Sequence, residues 1–228
     1  MRLPVSLPPP IREASRLLCY VTDRRQFPSN SGTQMALLLD KIRQAANAGV
    51  DWIQIREKDL SGSELSELVR DALRCMVPSC RILVNDRLDV ACATGAAGVH
   101  LGEKSISVED ARRFARERGA TGDFLIGASV HSLEEAQAAQ AEGADYVIFG
   151  PVFATPSKSA FGPPQGLERL EAICHRVNIP VLAIGGVSPE NARECYAAGA
   201  RGIAAIRLFQ EAADVAETVK RLRSSTKV

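Results

Sequence analysis

The sequence has no CxxC pair among its six cysteines, no apolar run near the roughly 18 residues a membrane helix requires, and no surplus of charge of either sign. Each absence removes a class of function. Cys19, Cys75, Cys80, Cys92, Cys174 and Cys195 lie mostly within apolar periodic segments, so they read as buried thiols packed as small hydrophobes, not as disulfide or zinc partners. The opening residues, MRLPVSLPPP, lack the continuous apolar stretch of a secretion signal, and a cytosolic protein is expected. A formal net charge of +1 argues against a nucleic-acid binder working through a broad basic face, so cationic chemistry must be local. Histidine is scarce too: His100, His131 and His175 are the full set, and no metal-ligand spacing joins them.

What is present suits a globular fold. Of 228 residues, 46% are hydrophobic and 24% charged, enough for a full core, and no polar or Gly/Ser-rich stretch divides the interior. Short Val/Ile/Leu-rich runs near 17–22, 51–56, 81–85, 98–101, 124–129, 146–150, 180–185 and 202–206 predict strands. Amphipathic segments near 34–48, 61–76, 88–94, 107–119, 132–142, 166–177, 189–198 and 210–223 predict the helices between and after them. Runs such as VLAI and YVIF read as buried on both faces, as in a parallel sheet covered by helices. Eight βα units predict a single-domain α/β protein, a TIM (β/α)₈ barrel over 17–228, with residues 1–16 as an N-terminal arm. The rival is an open doubly wound sheet, but no GxGxxG follows the first strand. Gly49, Gly98, Gly143 and Gly199 are placed to end helices in the left-handed conformation; Ser61, Ser132 and Ser188 are placed to begin them.

In such a barrel, polar residues at the C-terminal ends of strands face the active-site mouth. That filter selects Gln54, Arg56 and Lys58, which share one side of an extended segment, and Asn85 with Asp86. It also selects Ser129 and His131, the loop after strand 6 with Thr155, Ser157 and Lys158, Gly185–Gly186, and Arg207. Structural alternatives stand beside these readings: Arg56 paired with Asp51 or Asp59, Asp86 paired with Arg87, the long loop merely flexible, and the glycines serving a tight turn. Otherwise Arg56 and Lys58 suit an anionic group, Asp86 a Mg²⁺ ion, and Gly185–Gly186 before a helix start at Ser188 a phosphate. His131 has the chemistry of an acid or base, His100 points to the mouth or packs inside, and His175 lies on a helix surface.

Read together, QIREK at 54–58, ND at 85–86, GAS at 127–129, GPVFATPSK at 150–158, AIGG at 183–186 and AGARGIAAI at 198–206 resemble the thiamine phosphate synthase family, from about Tyr20 to Phe209. The related thiazole tautomerases share much of the pattern. The resemblance implies condensation of hydroxymethylpyrimidine diphosphate with hydroxyethylthiazole phosphate, giving thiamine phosphate and pyrophosphate. The diphosphate would leave first, and the thiazole nitrogen would capture the pyrimidine cation. Small phosphorylated substrates are implied, with no nucleic acid or membrane partner, and a homodimer is one possible assembly.

Carried onto this chain, the resemblance assigns the pyrimidine diphosphate to Gln54, Ile55, Arg56, Glu57 and Lys58, with Asn85 assisting and Asp86 holding Mg²⁺. Ser129, Thr155, Pro156, Ser157 and Lys158 would complete the diphosphate cradle, and Gly186, Ile206 and Arg207 would surround the thiazole phosphate. Three departures stand out: Ser105 occupies the place of a usual second metal-binding Asp, with Glu103 as a substitute ligand; Ser157 replaces a Thr; Arg207 replaces a Ser. The missing Asp and the segment SVHSLEEA keep open a tautomerase using His131, and a non-catalytic ligand-binding or regulatory barrel is a further alternative.

Overall fold

The computed structural model describes residues 16–28, 34–120, 122–155 and 163–224. Eight parallel strands close on themselves: β1 (Leu17–Val21), β2 (Trp52–Ile55), β3 (Arg81–Asn85), β4 (Gly98–Leu101), β5 (Leu125–Val130), β6 (Tyr146–Phe149), β7 (Val181–Ile184) and β8 (Gly202–Ala205). The β1–β8 ladder pairs Leu17 with Gly202 and Tyr20 with Ala205, which excludes the open sheet. Outside lie α1 (Gln34–Asn47), α2 (Gly62–Arg74), α3 (Leu88–Thr94), α4 (Val108–Glu117), α5 (Leu133–Ala141), α6 (Gly166–Cys174), α7 (Ala192–Ala197), α8 (Arg207–Gln210) and α9 (Val215–Ser224). No helix among the described residues is long and apolar enough to cross a membrane, and all six cysteines are free thiols.

Period-two alternation divides the core. Leu18, Tyr20, Ile53, Ile55, Val84 and Val99 pack outward against the helices, while Leu17, Cys19, Trp52, Leu83, Tyr146 and Leu182 form a separate cluster within the barrel. Each fully buried Leu or Ile of this kind contributes about 1.5–3 kcal/mol relative to exposure. The inner layer forms a solid floor beneath the mouth.

Local signals begin several helices as expected. Ser61 and Glu64 form a reciprocal capping box on α2, and Ser132 accepts from the Glu135 N–H at the start of α5. Gly49, Gly143 and Gly199 have positive φ. Gly98 does not end a helix: it lies in β4, where a Cβ would stand 2.2 Å from the Leu125 carbonyl oxygen, and Gly95 takes the left-handed cap of α3 instead.

Two helices differ from expectation. The segment 189–198 is helical only from Ala192, because the Asn191 side chain accepts from Ser188 N and donates to the Gly186 carbonyl, closing a turn before the helix. The segment 210–223 is divided between α8 and α9, since Gln210 turns inward to accept from Tyr20 Oη and the Asp23 N–H and to donate to the Asp23 carbonyl. Asp214 then starts α9 by accepting from Glu217 N. Of the expected arm, only Arg16 is among the described residues; its guanidinium lies 4.1 Å from the Tyr196 ring centroid.

Candidate active site

A cavity of about 340 Å³ opens at the C-terminal ends of the strands. Its β2 wall presents Gln54, Arg56 and Lys58, the alternate positions of one extended segment, as the strand pleat requires. Arg56 makes neither of the ion pairs that would have tied it to the surface: Asp51 is bound by Arg223 and the Leu18 N–H, and Asp59 by Arg24. Arg56 and Lys58, just past β2, both line the mouth. Arg87 likewise pairs with Asp89, which leaves Asp86 to the cavity.

Asp86 stands just past β3 at φ 60°, a left-handed conformation that Asp tolerates better than most residues. Its carboxylate accepts from Asn85 Nδ2 at 2.7 Å, from the Gly102 N–H at 3.0 Å, and from the Ser105 hydroxyl. Burial raises the pKa of this group, but the Ser105 and Gly102 hydrogen bonds and the charge of Lys58 outweigh it, so the carboxyl sits below the usual range and is ionised at neutral pH. Asn85 passes the polarity on by accepting from Gln54 Nε2 at 2.8 Å. Gln54 Oε1 is left buried with no partner among the described residues, an acceptor kept for a ligand.

On the β4–β6 wall, His100 is buried and neutral, pushed down to about 4 by burial and by Arg56 against the opposing pull of Asp86. Its Nε2 lies 2.9 Å from Ser129 Oγ and its Nδ1 3.2 Å from Tyr146 Oη. His131 Nδ1 donates to the Gly150 carbonyl at 2.7 Å, which commits that nitrogen to the wall and makes Nε2 the acceptor of the neutral ring. Opposite, Arg207 donates to Thr155 Oγ1 at 2.8 Å, joining the loops after β8 and β6.

The glycine pair after β7 is explained by close packing. A Cβ at Gly185 would lie 2.5 Å from Pro151 Cβ, and one at Gly186 would lie 2.5 Å from the Ala154 carbonyl oxygen. Both have positive φ, and Phe153 N donates to the Gly185 carbonyl at 3.0 Å, so the loops after β6 and β7 are seated on each other. The expected helix start at Ser188 is absent, and the wall here is loop backbone.

Comparison with known proteins now decides the family, because the model for "Thiamine monophosphate synthase" matches residues 18–209, nearly the whole barrel. The chain belongs to the thiamine monophosphate synthase family. It is 44% identical over 191 residues to a putative thiamine-phosphate synthase of Geobacter sulfurreducens, covering 83% of this chain and 84% of the relative. It is 38% identical over 202 residues to the thiamine-phosphate synthase of Chlorobium phaeobacteroides, covering 88% and 91%. Thiamine phosphate pyrophosphorylase from Pyrococcus furiosus superposes with a TM-score of 0.78 at 36% identity, covering 92% and 95%.

Within this thiamine monophosphate synthase barrel, the cavity gathers Gln54, Arg56, Lys58, Asn85, Asp86, Glu103, Ser129, His131, Thr155, Gly186, Ile206 and Arg207. Ile55 and Glu57 do not belong with them. Ile55 packs in the helix-facing core, and Glu57 is buried on the same outward side, accepting from the Thr22 hydroxyl at 2.6 Å and from Arg24 at 3.1 Å. The pleat sends these two odd-numbered side chains away from the mouth. Pro156, Ser157 and Lys158 lie outside the described residues.

His100 stands at the site, although the motif GVHLG left its direction open. The signal was available in the pattern, since Val99 and Leu101 pack outward and the residue between them must face inward. Tyr146, which sequence reasoning passed over, and Gly127, read there only as part of the GAS motif, complete the His100 environment; a Cβ at Gly127 would fall 2.0 Å from Tyr146 Cζ. Only the register His100–Gly127–Tyr146 across three strands reveals that fit.

Proposed function

We propose that this chain condenses hydroxymethylpyrimidine diphosphate with hydroxyethylthiazole phosphate to form thiamine phosphate and pyrophosphate. The observation that carries the reading is the convergence of Arg56, Lys58 and ionised Asp86 on one cavity, with none of the three tied to the surface partners nearest in sequence. The chemistry needs little else. When the pyrimidine CH₂–O bond breaks, its electron pair leaves with the diphosphate and positive charge remains on the pyrimidine; the thiazole nitrogen lone pair then forms the new C–N bond. Arg56 and Lys58 stabilise the charge that grows on the departing diphosphate, and the confined wall holds the second substrate in line. The family resemblance assigns the same role to Lys158, which lies outside the described residues. Gln54 Oε1 accepts a hydrogen bond from the pyrimidine, and Gly186, Ile206 and Arg207 surround the thiazole phosphate.

The residues also fit Mg²⁺, although no group of three metal-binding side chains occurs among the described residues. Mg²⁺ is commonly held by one or two carboxylates together with substrate phosphates, and Asp86 and Glu103 line the same cavity beside Lys58. Ser105, at the place of the usual second carboxylate, donates to Asp86 and steadies it for that role. Bound with the diphosphate, the ion would neutralise charge on the leaving group. The six free thiols suit a reducing compartment, and we place the reaction in the cytosol.

Mixing the purified protein with both substrates and Mg²⁺ should produce thiamine phosphate and stoichiometric pyrophosphate. Proton movement on a carboxylated thiazole phosphate without condensation would instead favour a tautomerase acting through His131 Nε2. Ligand binding with no turnover of either kind would leave a non-catalytic barrel.

A further inference from the structure

His100 and Ser129 look like a base and a nucleophile, with Nε2 and Oγ 2.9 Å apart. The group behind them reverses that reading. Tyr146 is fully buried in the barrel, its ring 4.7 Å from the Trp52 ring and 5.6 Å from the His100 ring, centroid to centroid. The only hydrogen-bond partner of its hydroxyl among the described residues is His100 Nδ1 at 3.2 Å. A buried phenol with one partner must donate to it, because leaving an O–H unpaired in the interior is costly. His100 Nδ1 is therefore an acceptor without a proton, and the single proton of the neutral ring sits on Nε2. That nitrogen can only donate, so Ser129 Oγ accepts from it and its own hydrogen is turned toward the cavity.

We propose that Tyr146 and His100 are positioning residues whose fixed hydrogen-bond direction, phenol to imidazole to hydroxyl, makes Ser129 a donor to the diphosphate leaving group. The consequence for the leaving group rests on the synthase reading above; the direction of the relay does not. His100 cannot take a proton from Ser129, so the pair is not an activated nucleophile. The direction is held in place by packing. Gly127 lies beneath the phenol ring, and any side chain there would displace Tyr146 from His100.

The decisive measurement is nitrogen NMR of the full-length protein with ¹⁵N-labelled histidine at neutral pH. Only three rings contribute, and exposed His175 is assigned by His175→Asn. His100 should appear neutral with its proton on Nε2, and Tyr146→Phe should shift it toward a mixture of tautomers. A wild-type His100 protonated on Nδ1, or on both nitrogens, overturns the proposal. Kinetics supply the second arm. Tyr146→Phe removes one hydroxyl from a packed ring, and circular dichroism checks that the fold survives. It should lower kcat about fivefold to tenfold, a loss of the size of one neutral hydrogen bond, with KM for both substrates little changed. In a Ser129→Ala background the same substitution should cost nothing more; an equal loss there refutes action through Ser129. Absence of condensation by the wild-type protein would refute the synthase reading alone, and the ring spectrum would still decide the relay.

Discussion

Replacing Asp86 with Asn tests the charge of the site without disturbing its backbone. Asn tolerates the left-handed conformation at φ 60°, whereas Ala there loses about 1–2 kcal/mol to backbone strain alone. Asp86→Asn should therefore spare the backbone, and its cost in unfolding should be that of a charge-assisted hydrogen bond made neutral, about 1 kcal/mol. The consequences lie in the cavity. The Gly102 N–H is a fixed backbone donor, so the amide oxygen of the new Asn must remain on that side and its NH₂ must face Asn85 Nδ2. Two donors then oppose each other. Asn85 relieves this by rotating its amide, which turns its NH₂ toward Gln54 and forces Gln54 to rotate too, so that the cavity meets an NH₂ in place of the Oε1 acceptor. A mispaired polar contact costs about 1–3 kcal/mol, so KM for the pyrimidine diphosphate should rise about tenfold or more. Loss of the anion should separately lower kcat by about a hundredfold, as for removal of one preorganised electrostatic group, and raise the Mg²⁺ concentration required. Pyrophosphate release across a Mg²⁺ titration measures both. Full kcat at every Mg²⁺ concentration would refute the role of the carboxylate, and an unchanged KM would refute the amide relay.

Glu57→Gln should cost about 3 kcal/mol in denaturant unfolding, because it breaks a buried charge pair with Arg24, while KM for the diphosphate substrate stays near wild type; undiminished stability with a raised KM would return Glu57 to the binding site. Burial holds His100 at about 4 against an unfolded value near 6.5, so the unfolded chain binds its proton first as pH falls. The contribution of the neutral ring, on the order of 3 kcal/mol, is complete above pH 6.5 and lost as pH falls toward 4; His100→Gln should remove this slope from unfolding curves, and an identical slope would show that other groups cause it. Arg207→Ser should raise KM for the thiazole phosphate about tenfold with kcat little changed, as for loss of uniform binding by one charged contact. A lower KM would mean that Arg207, tied to Thr155, obstructs that substrate.

The barrel was legible because every strand announces itself locally, by a buried run with a turn signal on either side, and eight such runs leave little choice of architecture. The misplaced ends have two causes. Asn191 closes a local side-chain turn on Ser188 and Gly186 that helical periodicity does not register, whereas Gln210 spends its side chain on Asp23, backbone that only the folded chain brings near. Glu57 shows the same limit within a motif. Its neighbours Arg56 and Lys58 face the mouth, yet its partner Arg24 stands 33 residues away and outside any local pattern. Period-two alternation already separated Ile55 and Glu57 from Gln54, Arg56 and Lys58, so the strand rule was a better guide there than the motif.

What no local pattern shows is the direction of the hydrogen bonds. Two relays reach the cavity: one is anchored by the ionised Asp86 carboxylate, which can only accept, and the other by the buried Tyr146 hydroxyl, whose one partner among the described residues is His100. From Asp86 the alternation of donor and acceptor leads through Asn85 to an acceptor at Gln54; from Tyr146 it leads through His100 to a donor at Ser129. Neither Gln nor Ser has a polarity of its own, since each both donates and accepts. A substrate entering this mouth therefore meets an acceptor on the β2 wall and a donor on the β5 wall, each set by the hydrogen-bond chain behind it. Such preorganisation spares the reaction the rotation of amides and hydroxyls as charge develops on the leaving group.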